Sequence, residues 1–139
     1  MNTYDFTDLH IGMTEEFTVT VKEENIQKFF EITGDANPLH RDASYAVAQG
    51  YPDCAVYGML TASYLSTLGG MYLPGKRCLI HGITCEMAHP VFAGDVLTVR
   101  GTVKELHESV RQAVIKVEIL NQKMEKVLRG KMKAGVLNG

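Results

Sequence analysis

An acid and a histidine stand five residues apart in the string Gly34-Asp35-Ala36-Asn37-Pro38-Leu39-His40. A carboxylate and an imidazole suit proton transfer to and from water or carbon, with ordinary pKa values of about 3.9 and 6.5. Burial raises the first and lowers the second, so both move toward usable values unless their mutual attraction dominates. Such groups typically contribute about 10²–10⁴-fold in rate. A step of five does not put two side chains on one helix face. A bend must aim them at a common point, and Pro38 favours one by fixing its own φ and restricting Asn37. Spacing alone leaves a second reading open. Asp35 is then an Asx-turn residue beside Asn37, and His40 a loop histidine whose ring simply finds a partner.

The elements that must hold this string are readable from periodicity. Glu16–Val21 alternates, with Phe17, Val19 and Val21 on one side, and reads as a strand. Thr20 to Glu23 fits a capping box. The helix that follows carries Ile26, Phe29, Phe30 and Thr33 on one face and stops at Gly34 and Asn37-Pro38. Asp42 is expected to cap a second short helix running through Gln49, with Gly50 at its end. Tyr57–Tyr72 has almost no polar face and reads as a helix buried all round, weakened at Gly69-Gly70 and ended by Pro74-Gly75. Beyond it the period changes to two. Leu97–Val103, Gln112–Ile119 and Leu128–Val136 each alternate apolar with polar residues, and Lys76–Met87 is a less regular strand. One buried helix plus a long antiparallel sheet predicts an α+β domain spanning residues 1–139, the sheet wrapped around the helix. A single curved sheet covers only part of such a helix, which predicts a symmetric dimer.

Composition narrows the function. The chain has 139 residues, 45% hydrophobic and 22% charged, with a net charge of −2. This balance gives no sign of the concentrated basic face that a nucleic-acid or membrane-surface binder needs, so neither partner is expected. The start, Met1-Asn2-Thr3-Tyr4-Asp5, lacks a basic and apolar leader, and no apolar run spans a bilayer. Cys54, Cys78 and Cys85 are an odd number without C-x-x-C spacing, which reads as reduced thiols in a cytoplasmic protein. There is no G-x-G-x-x-G after a strand, no P-loop and no H-E-x-x-H, so no cofactor and no metal are expected. His10, His81, His89 and His107 read as structural or surface histidines.

The longer string, Phe30 to His40 followed after five residues by Ala46, resembles the hydratase 2 motif of MaoC-like (R)-specific enoyl-CoA hydratases. The similarity continues at Tyr57-Gly58-Met59-Leu60-Thr61-Ala62-Ser63, Leu73-Pro74-Gly75 and Pro90-Val91-Phe92-Ala93-Gly94-Asp95. The resemblance implies a hot-dog fold, a homodimer, and hydration of an acyl-CoA or acyl-carrier-protein enoyl thioester, or the reverse dehydration. It assigns Asp35 and His40 as a dyad holding the water, and Gly58 as a backbone donor to the thioester carbonyl. Ser66 takes the place of a serine that assists the dyad, with a small polar residue in a buried helix as the equal alternative, and Asn37 pins the loop. Tyr57 departs from the family's usual histidine and is expected to donate a hydrogen bond there and narrow the acyl pocket. Lys76 and Arg77, after the Pro-Gly turn, read as a solvated turn, with contact to the phosphates of CoA or to an acyl carrier protein as the alternative. A hot-dog thioesterase and a non-catalytic acyl-thioester-binding subunit are the competing readings. The Gly34–His40 string argues against the first, and the presence of both Asp35 and His40 argues against the second.

Overall fold

The computed structural model describes residues 1–139. Five antiparallel strands form one sheet in the order β1-β3-β4-β5-β2. They are β1 (Thr14–Thr20), β2 (Cys78–Met87), β3 (Val96–His107), β4 (Gln112–Leu120) and β5 (Lys126–Val136). Between β1 and β2 come α1 (Glu23–Thr33), α2 (Pro38–Arg41), α3 (Ala43–Ala48) and α4 (Gly58–Thr67), the last continued by a wider π turn at Leu68–Tyr72. The α+β expectation and the wrapped helix are both met. The inner face of the sheet presents Leu97, Val99 and Val103, Ile115, Val117 and Ile119, and Leu128, Met132 and Ala134, all fully buried against Leu65 and Leu68. No helix is long and apolar enough to cross a membrane.

The outer face is polar and strongly patterned. Register places Glu16, Arg100, Glu118, Arg129 and Glu86 in one row across all five strands. The signs alternate, and ion pairs join Arg100 to Glu16 and Glu118, and Arg129 to Glu86. Opposite charges facing each other across strands stabilise a sheet. In the next row Lys116 faces Lys131. Lys104, Lys116, Lys126, Arg129 and Lys131 line a shallow groove of about 740 Å³ together with Glu86 and Glu105. The overall charge of −2 therefore conceals a local concentration of cations that sequence reasoning missed.

Two element predictions need correction. α4 is not buried all round: Leu60, Thr61 and Leu65 face the core, whereas Met59 is 66% exposed and Ser63, Ser66 and Thr67 face outward. Apolar composition does not say whether the chain itself covers the residue. The helix α1 is not capped by Thr20. Lys22 is its N-cap residue, and the Lys22 N–H donates to the Asn25 side chain at 3.0 Å.

Candidate active site

The Asp35–His40 string is built from consecutive caps. Gly34 ends α1 in the left-handed region, φ +71°, which favours a residue without Cβ, and its N–H donates to Phe30 C=O at 2.7 Å. The Asp35 N–H donates to Thr33 Oγ1, and Asp35 Oδ1 accepts from the Asn37 N–H at 3.0 Å. Asn37 Oδ1 in turn accepts from the Leu39 N–H at 3.0 Å and caps α2, with Pro38 at its first position. The bend expected between the acid and the histidine is thus an Asx turn feeding a single helical turn. The Asx-turn reading of Asp35 is met, and it does not exclude the site reading, because the turn uses only one carboxylate oxygen.

α2 is clamped from both sides. The Arg41 guanidinium lies 4.1 Å from the Phe30 ring centroid and donates to Gln27 Oε1, tying α2 to α1. The Ala55 N–H donates to Leu39 C=O, and the Val56 N–H donates to Val91 C=O. Fully buried Ala46 lets α3 close against this frame. His40 Nδ1 lies 2.7 Å from Ala55 C=O. A carbonyl only accepts, so Nδ1 carries a proton, and in the corresponding neutral tautomer the lone pair lies on Nε2.

Phe29, Thr33, Asp35, His40, Tyr57, Gly58, Met59 and Met87 all line one cavity of about 470 Å³. A carboxylate, an imidazole with a free Nε2 and the amino end of α4 therefore share one space. Gly58 is the first residue of α4, where N–H groups have no intrahelical acceptor and the helix end is partially positive. A Cβ on Gly58 would lie 3.2 Å from Met87 Cγ, so the bare backbone is covered by a flexible thioether. A second cavity, about 330 Å³, meets the first at His40, Gly58 and Met87 and is also lined by Thr61 and His89.

A MaoC like domain model matches residues 8–127. The chain belongs to the MaoC-like family. Among its MaoC-like relatives is the 3-hydroxybutyryl-CoA dehydratase of Methylorubrum extorquens, 32% identical over 108 residues, covering 78% of this chain and 69% of that protein. The (R)-specific enoyl-CoA hydratase of Aeromonas caviae is 32% identical over 114 residues, covering 82% and 85%. Among solved structures, the unliganded R-hydratase PhaJ1 of Pseudomonas aeruginosa superposes with a TM-score of 0.90 at 27% identity, covering 97% of this chain and 86% of that one. These likenesses make this MaoC-like chain a hot-dog fold.

Of the residues that sequence pointed to, the structure brings Asp35, His40, Tyr57 and Gly58 to one cavity. Asn37 is exposed, caps α2 and is not among the residues lining the cavity. Ser66 lies two turns beyond Gly58 on the exposed face of α4, outside the cavity. Tyr57 uses its hydroxyl within the chain. It is 2% exposed, and its hydroxyl donates to Asp35 C=O at 2.6 Å. Asp35 itself is exposed in the single chain, so the burial assumed for it is not supplied by this chain alone. Sequence reasoning missed Met87, and it read His89 as peripheral although His89 lines the second cavity. Cys78 is half-buried and unpaired, and burial pushes its thiol up to about 11, which suits an inert core group.

Proposed function

We propose that this MaoC-like lyase adds water across the C2–C3 double bond of a trans-2-enoyl-CoA, giving (R)-3-hydroxyacyl-CoA, and catalyses the reverse dehydration. The observation that carries the reading is the single cavity shared by Asp35, His40 and the start of α4. Water sits between Asp35 Oδ2, which has no protein hydrogen bond, and His40 Nε2. The thioester carbonyl rests on the Gly58 N–H. His40 Nε2 takes a proton from water, whose oxygen bonds to C3. The C2–C3 π electrons move onto the thioester oxygen, where the amide dipole meets the developing charge. C2 then takes a proton back from the imidazolium, so hydrogen and hydroxyl are both added and nothing else is consumed. Asp35 holds the water's second hydrogen throughout. The CoA carrier and the (R) product follow the names of the relatives in Methylorubrum and Aeromonas.

The working unit we infer is a homodimer joined along β2 and the outer face of α4. β2 is a sheet edge: Ile83 and Met87 on its inner face are 42% and 46% exposed, with Met59 of α4 lining the same cavity as Met87, and Leu79 on its outer face is 51% exposed. An open edge flanked by large apolar groups marks an interface. A partner there also removes water from the rim of the Asp35 cavity, which strengthens every charge inside. The experiment is a series of trans-2-enoyl thioesters of increasing chain length, on CoA and on a carrier protein, with chiral analysis of the alcohol. Loss of enoyl absorbance with an (R) product supports the reading. Free thiol release without hydration overturns it in favour of a thioesterase.

A further inference from the structure

Tyr57 touches both halves of the Asp35–His40 pair at once. Its hydroxyl donates to the backbone carbonyl of Asp35 at 2.6 Å, and its ring lies 4.3 Å from the His40 ring, tilted by 31°. On its other side the ring meets Phe29 of α1 at 5.0 Å. The side chain is almost wholly buried and sits just before α4, whose first residue is Gly58. One rigid ring with only two rotatable bonds therefore links α1, the Asp35 turn, α2 and the amino end of α4. We propose that Tyr57 is a positioning residue that sets the separation of the Asp35 carboxylate and the His40 imidazole. The inference rests on the dyad reading above, and it gives Tyr57 a role different from hydrogen bonding or excluding the acyl group.

The reasoning is geometric. Asp35 follows the end of α1, and its carboxylate is tied to α2 by one hydrogen bond, from the Asn37 N–H, in a solvent-exposed turn, which by itself does not fix its distance from the His40 ring. His40 is fixed in its plane by Ala55, but nothing on that bond prevents the ring from sliding toward α1. The Tyr57 ring fills the space into which His40 would slide, and its hydroxyl fixes the Asp35 backbone on the far side. Burial also pushes the hydroxyl above its ordinary value, so it remains a donor across the neutral range. A displacement of about 1 Å at reacting groups can cost about 10²-fold in rate.

Two substitutions separate the two contacts. Tyr57→Phe removes only the hydroxyl, and the freed Asp35 carbonyl takes water because that turn is exposed. Tyr57→Leu removes the aromatic plate as well. The measurement is kcat and KM for hydration of crotonyl-CoA, alongside thermal melting and the ¹⁵N signals of His40. Tyr57→Phe is expected to lower kcat about 10- to 100-fold with KM and melting temperature little changed and the His40 Nδ1–H signal intact. Tyr57→Leu is expected to lower kcat further and to broaden or shift that signal. Wild-type kcat in Tyr57→Phe overturns the inference, as does a parallel loss of kcat and melting temperature. Asp35→Asn serves as the reference. If Asp35→Asn is inactive and Tyr57→Phe is fully active, the Tyr57 inference fails alone. If Asp35→Asn is fully active, the dyad reading has failed first.

Discussion

Replacing Gly58 by alanine separates catalysis from stability at the position proposed to hold the thioester oxygen. The added Cβ meets Met87 Cγ at 3.2 Å and Met87 Cε at 3.4 Å. Both are atoms of a flexible side chain that is 46% exposed, so Met87 can turn aside by the few tenths of an ångström required. Gly58 also begins a helix, where exchanging glycine for alanine gains at most about 0.5–1 kcal/mol. The two effects oppose each other, and the net change in stability is under about 1 kcal/mol, a shift of a few degrees in Tm. The effect on chemistry is much larger. Alanine keeps the N–H itself, but its methyl and the displaced Met87 crowd the carbonyl's approach to that donor. Complete loss of one oxyanion donor sets the upper bound, about 10²–10³ in kcat, or roughly 2.7–4 kcal/mol. The assay is the decay of enoyl absorbance under saturating crotonyl-CoA, paired with a thermal melt of the same sample. Wild-type kcat in a normally folded Gly58→Ala protein refutes the close approach of the substrate carbonyl to this helix start.

Two further outcomes follow from other parts of the molecule. Burial tends to raise the Glu118 pKa, but Lys126 and Arg100 outweigh it and hold the carboxyl below its ordinary value of 4.5. A depressed folded-state pKa gives stability that is present above the unfolded value and lost as pH falls through the folded one. Tm should therefore fall as pH drops below about 4.5, and Glu118→Gln should flatten that part of the curve; an unchanged slope contradicts the ladder's role. At the β2 edge, Leu79→Glu combined with Ile83→Glu places like charges along the proposed interface. Sedimentation should show a dimer for the wild type and a monomer with little hydratase activity for the double variant, whereas a wild-type monomer with full activity contradicts the dimer.

Much of the fold was legible because alternation is a direct record of one-sided burial. Leu97, Val99 and Val103 in β3, and Ile115, Val117 and Ile119 in β4, point where their spacing says they must. The face of α4 was not legible, because Met59 and Met71 are as apolar as Leu60 and Leu65, and sequence does not record which molecule covers them. The helical turn at Pro38–Arg41 is too short for periodicity to reveal. Its signal was the cap itself, Asn37 followed by proline at the first helical position. Asp35, His40 and Gly58 were found by motif resemblance rather than by spacing. Met87 escaped because β2 carries a register shift between Ile80 and Gly82, which breaks the alternation that would have shown its direction. The role of Tyr57 depends on partners 22 and 17 positions away in sequence, Asp35 and His40, and no local pattern encodes such contacts.

The central claim is that the Asp35 carboxylate, not merely its turn, works with His40 on one water. Asp35→Asn tests this most directly, because the new amide oxygen still accepts from the Asn37 N–H and keeps the turn. Hydration of crotonyl-CoA by this variant should fall by about 10²–10⁴ in kcat/KM while its Tm stays near that of the wild type. A folded Asp35→Asn protein that hydrates crotonyl-CoA at the wild-type rate contradicts the account.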